Sequence, residues 1–223
     1  VNGRIPILLG VGGNNTQAVV DTLKNDDFTG VDAILSVVPY YNKPNAEGLY
    51  RHFMTIADLG LPVVLYNVPG RSGREIGLDV VARLAKHPNV VAIKEAAGSV
   101  DRVSAIKEIA PDFTVLSGDD SLALPMVAVG AEGVISVASN VIPKEMGDMI
   151  RSALAGDFVK ARAFHAKYYA LFRDLFIDVN PVMVKEALHL MGQIERVFRL
   201  PLCETGDANL QALKSTMVKA GII

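Results

Sequence analysis

The chain has 223 residues, half of them apolar, enough to bury one core, and one domain is the natural count. Its net charge of −2, with no two basic residues adjacent, speaks against a nucleic-acid partner. The single cysteine, Cys203, excludes an internal disulfide and suits a reducing cytosol, and no apolar run approaches the ~20 residues of a membrane helix.

Taken in chain order, short apolar runs alternate with amphipathic segments. Strands are expected near Ile5–Gly10, Ala33–Val38, Val63–Tyr66, Val90–Lys94, Thr114–Leu116 and Gly133–Val137. Helices are expected over Thr16–Lys24, Ala46–Asp58, Leu78–Ala85, Val100–Ile109, Leu122–Val129 and Lys144–Ala155. Asn15 or Thr16, Asn45, Ser99 and Ser121 are the candidate caps. Strands apolar on both faces, alternating with helices, imply a parallel sheet covered by helices. A doubly wound sheet and a closed barrel both satisfy this, and the even spacing favours the barrel.

A closed (β/α)₈ barrel needs eight strand-helix units, and six are visible. The expectation is a partial barrel over residues 1–157 that lacks its first two units. Residues 158–223 read as three helices with no strand, a C-terminal helical extension, with Asn180-Pro181 as cap and first turn of the middle one. Val1 stands almost directly before an apolar strand, with neither initiator methionine nor signal-peptide pattern, so the start is expected to be a cut one.

Chemistry in such folds gathers at the C-terminal ends of strands. Lys94 follows Val90-Val91-Ala92-Ile93 directly and shares a face with Ala92 and Val90. Burial favours the neutral amine, which attacks carbonyls. The alternative is an ion pair with Glu95, or a side chain that reaches the rim. Tyr66 ends the preceding strand and is either a proton relay or a packed ring. Arg71 is either a clamp for a substrate carboxylate or a surface loop arginine. Tyr40 and Tyr41 are interface anchors or plain packing. The pair Asp119-Asp120 has no third ligand nearby, so turn and capping roles are preferred to a metal site. Gly10-Val11-Gly12-Gly13-Asn14 lacks the lysine and hydroxyl of a phosphate loop. The four histidines form no metal-ligand pair, and Cys203 has no activating neighbour.

Several segments together carry a family resemblance. Tyr66-Asn67-Val68-Pro69-Gly70-Arg71-Ser72-Gly73, followed by Ile93-Lys94-Glu95-Ala96, resembles the signature of the dihydrodipicolinate synthase family. Pro39-Tyr40-Tyr41-Asn42-Lys43-Pro44, Leu116-Ser117-Gly118-Asp119-Asp120 and Gly133-Val134-Ile135-Ser136-Val137 resemble it too. The resemblance implies a TIM barrel with a C-terminal helical extension, acting as a cytoplasmic lyase without cofactor. It implies condensation of pyruvate with L-aspartate 4-semialdehyde, toward diaminopimelate and lysine. Lys94 matches the Schiff-base lysine, Tyr66 the tyrosine of the proton relay, and Tyr41 the tyrosine inserted into a neighbouring subunit's site. Arg71 matches the arginine that binds the aldehyde's carboxylate. Gly118 and Ile135 match positions lining the pyruvate pocket, Ile135 through its backbone. Asn14 and Tyr40 match regulatory lysine-site positions. A homotetramer built as a dimer of dimers is implied as well.

Two departures stand out. The family's Gly-Thr-Thr-Gly-Glu segment is missing and would fall upstream of Val1, so low activity is expected of the chain as given. Ala18 stands where the lysine site has an acidic residue, so feedback inhibition is expected to be weak or absent. The competing readings are a sibling aldolase (N-acetylneuraminate lyase or a 2-keto-3-deoxy sugar acid aldolase), a non-catalytic barrel fragment, and a phosphate-binding barrel isomerase.

Overall fold

The computed structural model describes all 223 residues. They form two compact units, residues 1–118 with 129–132, and residues 119–128 with 133–223. The first unit is a parallel sheet of β1 (Leu8–Gly10), β2 (Ala33–Val37), β3 (Val63–Asn67), β4 (Val90–Glu95) and β5 (Thr114–Ser117), hydrogen-bonded in chain order. The connecting helices are α1 (Thr16–Asn25), α2 (Ala46–Ala57), α3 (Pro69–Ser72), α4 (Leu78–Leu84) and α5 (Asp101–Ile109). Ile34, Val63, Leu65, Ile93 and Val115 of the strands and Leu49, Phe53, Ile56, Leu84 and Ile106 of the helices are buried and form its core. Each such side chain contributes about 1.5–3 kcal/mol on leaving water.

The second unit holds α6 (Asp120–Ala128), the two-residue strand β6 (Gly133–Val134), α7 (Pro143–Leu154), α8 (Phe158–Asp174), α9 (Val182–Leu190) and α10 (Asp207–Ala220). Helix α8 packs against α6, α7 and α10. The fully buried carboxylate of Glu186 accepts two parallel hydrogen bonds from Arg196, at 2.7 and 2.8 Å. No helix in the chain is long and apolar enough to cross a membrane.

The six strands and the three C-terminal helices fall where the hydrophobic periodicity puts them. The differences have local causes. β1 begins at Leu8 rather than Ile5, because the Asp32 carboxylate captures the Ile7 N–H at 2.7 Å and Ile5 is exposed. β6 stops at Val134. Downstream the chain turns toward Asp120, whose Oδ2 accepts the Ala138 N–H at 2.8 Å, and Ser136 Oγ accepts the Ser139 N–H. Asn15 and Asn45 cap α1 and α2 through their side chains. Ser99 does not cap α5, whose N-cap is Val100. Ser121 lies inside α6, which starts one residue earlier at Asp120. Pro181 sits at the N-cap of α9 rather than in its first turn.

His52 of α2 couples packing to pH. It is 4% exposed, its Nδ1 lies 2.8 Å from Thr16 Oγ1 of α1, and its Nε2 meets no partner. Burial pulls its pKa from 6.5 down to about 4. Below pH 6.5 the unfolded chain binds a proton that the folded chain refuses. Stability is therefore complete above 6.5 and declines as the pH falls toward 4, by about 3 kcal/mol in all. The thermal midpoint of His52→Gln, which keeps a partner for Thr16, is expected to fall less than the parent's between pH 6.5 and 4.5. Equal declines would remove His52 from this role.

Candidate active site

β3 and β4 begin as apolar runs, Val63–Leu65 and Val90–Ile93, and polar residues appear at their C-terminal ends. β3 and β4 pair with Tyr66 opposite Lys94 and Asn67 opposite Glu95. Strand alternation sends the first pair to one face of the sheet and the second pair to the other. The Lys94 Nζ lies 4.1 Å from the centroid of the Tyr66 ring, and both residues are half-buried. An ammonium over a ring at this distance gains about 0.5–2 kcal/mol. Gly118, just after β5, donates its N–H to Glu95 O at 2.7 Å. A Cβ there would stand 2.6 Å from Ala96 Cβ and 3.1 Å from Lys94 Cε. Only glycine fits beside the lysine stem.

Arg71 lies on the one-turn helix α3, which starts with Pro69 and closes on Gly73 in the left-handed region at φ 72°. Its side chain is exposed. The Ser72 hydroxyl, within 3.1 Å of Val68 O and 2.8 Å of Arg74 O, stiffens this turn. Lys43 lies across it, since a Cβ on Gly73 would meet Lys43 Cε at 2.7 Å. The loop 40–44 is thereby brought beside the Arg71 turn. Within that loop Tyr41 and Lys43 hold positive φ, 72° and 45°, at a cost of about 1–3 kcal/mol each. Tyr41 is 89% exposed.

Asn14 Nδ2 donates to Tyr40 O at 3.2 Å, and Asn42 Nδ2 donates to Asn14 O at 2.7 Å. Asn14, Ala18 and Tyr40 line a cleft of about 520 Å³. Ile135 follows β6 in the second unit and is half-buried.

The first unit thus brings Lys94, Tyr66 and Gly118 together. Glu95, the alternative partner for Lys94, instead turns its carboxylate to Asn67, Ala97 and Arg102. Of the aspartate pair, Asp120 begins α6 and is buried, which raises its carboxyl above the usual range. It holds the loop after β6, a role of the turn-and-cap kind. Arg102 carried no signal in the sequence, because a seven-residue separation from Glu95 across a loop has no local signature.

A lysine amine and a tyrosine ring stand together at the C-terminal ends of neighbouring parallel strands, the place where α/β enzymes carry their chemistry. The model of the Dihydrodipicolinate synthetase family matches residues 1–220, and the chain belongs to that family. A 4-hydroxy-tetrahydrodipicolinate synthase of Phocaeicola vulgatus is 50% identical over 220 residues, which cover 97% of this chain and 74% of that one. The solved dihydrodipicolinate synthase from Aquifex aeolicus superposes with a TM-score of 0.96 at 46% identity, over 99% of this chain and 76% of the other. The 4-hydroxy-tetrahydrodipicolinate synthase from Methylacidiphilum fumariolicum SolV gives 0.96 at 47% identity, over 99% and 75%.

Proposed function

We propose that this protein condenses pyruvate with L-aspartate 4-semialdehyde, as a lyase of lysine and diaminopimelate biosynthesis, through a Schiff base on Lys94. The observation that carries the reading is the Lys94 amine 4.1 Å from the Tyr66 ring, at paired positions of β3 and β4. The neutral amine adds to the keto carbon of pyruvate, and loss of water gives an imine. Removal of a methyl proton then gives an enamine, whose carbon attacks the aldehyde. Each step moves a proton, and the Tyr66 hydroxyl is the relay, completed by Tyr41 from a neighbouring subunit. The exposure and positive φ of Tyr41 support that reach. Arg71 receives the aldehyde substrate's carboxylate by parallel hydrogen bonds. Gly118, beside the Lys94 stem, lines the pyruvate pocket. The sibling aldolases are not favoured, because the relatives named above are synthases.

The six strand-helix units are read as part of a (β/α)₈ barrel over residues 1–157. Residues 158–223 are its helical extension. The working form is a homotetramer in the cytoplasm. The cleft at Asn14 and Tyr40 is a regulatory lysine site, weakened by Ala18. The test of the reaction is borohydride reduction with pyruvate followed by peptide mass spectrometry of the full-length protein. An adduct on Lys94 is expected. No adduct, or one on another lysine, would overturn the reading.

A further inference from the structure

We infer that Asn67, Glu95 and Arg102 are positioning residues for this reaction, a buried network on the opposite face of the sheet that fixes the Lys94 strand and the Arg71 turn in one relation. The inference rests on the reaction proposed above. Asn67 and Glu95 have no exposed surface. Asn67 Nδ2 donates to both Glu95 carboxylate oxygens at 2.9 Å. Glu95 also accepts the Ala97 N–H at 2.8 Å and Arg102 Nε at 3.0 Å. The same guanidinium extends to the segment that leaves the Arg71 turn. Its Nη1 donates to Glu75 Oε1 at 2.6 Å and its Nη2 to Ile76 O at 3.0 Å. The Ile76 N–H returns to Asn67 Oδ1 at 3.0 Å and closes the circuit.

Stability alone explains this arrangement poorly. A buried ion pair is often matched or bettered by apolar side chains of the same volume. What an apolar core lacks is direction. Here every bond ends one or a few residues from a group of the reaction. Asn67 follows Tyr66, Glu95 follows Lys94, the Glu95 carbonyl holds Gly118, and Ile76 lies five residues past Arg71. A shift of about 1 Å in such groups costs roughly 10²-fold in rate. Arg102 contacts both branches, the strand through Glu95 and the turn through Glu75 and Ile76, and Asn67 ties the same two through Glu95 and the Ile76 N–H.

The test is Arg102→Lys in the full-length protein, which keeps the charge and loses the three-pronged fork. Expected are a fall in kcat of about tenfold or more and a rise in KM several-fold larger for the aldehyde than for pyruvate. A merely structural role would lower the thermal midpoint without splitting the two KM values. Glu75→Gln is the second variant, since it loosens only the half-exposed arm. It is expected to raise the aldehyde KM about threefold and leave pyruvate trapping at Lys94 at the parent's rate. A parent that traps no pyruvate overturns the reaction and this inference together. A parent that traps it, with a folded Arg102→Lys within twofold of it in kcat and both KM values, overturns the inference alone. If Arg102→Lys does not fold, an unchanged aldehyde KM in Glu75→Gln overturns it.

Discussion

Lys94→Met is expected to give no borohydride adduct with pyruvate and to lose on the order of 10⁴-fold or more in kcat, the scale seen when a covalent nucleophile is removed. Methionine fills nearly the same volume along an unbranched stem. The wall formed by Gly118, where a Cβ would come within 3.1 Å of Lys94 Cε, therefore stays supported. Thermal stability should stay close to the parent's, because the network below the sheet is untouched. Lys94→Arg is the sharper control. It keeps a cation near the Tyr66 ring, and guanidinium does not lose its proton near neutral pH, so it cannot add to a carbonyl. If the cation alone mattered, the arginine variant would retain activity. Its inactivity alongside Lys94→Met would assign the loss to the amine lone pair. Turnover near the parent's in either variant would overturn the assignment.

Much of this molecule is written locally, and the parts that are not follow a physical rule. Strand and helix positions come from runs such as Val90–Ile93 and from side chains such as Asn15 and Asn45, which act on backbone groups two or three residues away. Lys94 stood out because a charge at the end of an apolar run is costly unless something accounts for it. Sequence pattern and structure part where a distant group competes for the backbone. Asp32 takes the Ile7 N–H from 25 residues away, and Asp120 takes the Ala138 N–H from 18. Neither event leaves a mark in the window that it alters. The Asn67–Glu95–Arg102 network was hidden for the same reason. Each member reads as an ordinary polar residue, and only the pairing of β3 with β4 shows that two of them meet. Whether Arg71 was a clamp or a surface arginine could not be read from its own residue type. The family motif suggests the first role, and the structure puts the residue, exposed, on a turn stiffened by Ser72.

Tyr66→Phe separates the ring face, which the Lys94 amine contacts, from the hydroxyl, the proposed proton relay. The phenylalanine keeps the π face 4.1 Å below the Lys94 amine and therefore keeps the contact that orients it. It removes only the hydroxyl. If that hydroxyl relays protons during imine and enamine formation, kcat falls by about 10²–10⁴-fold, the usual share of a positioned acid–base group. Lys94 still forms a trappable adduct, more slowly. Tyr66→Leu removes the face as well. The excess of its defect over that of Tyr66→Phe then measures what the ring contributes to holding the amine. Equal defects would mean that orientation comes from elsewhere, with the Glu95 and Asn67 anchors beneath the strands as the leading source. A Tyr66→Phe protein with kcat near the parent's would remove the proton relay from this residue and leave it a packing role. The comparison is clean because Tyr66 sits in mid-register against Lys94 with Leu65 and Asn67 buried on either side. A change confined to the tip of the ring therefore leaves the strand where it was.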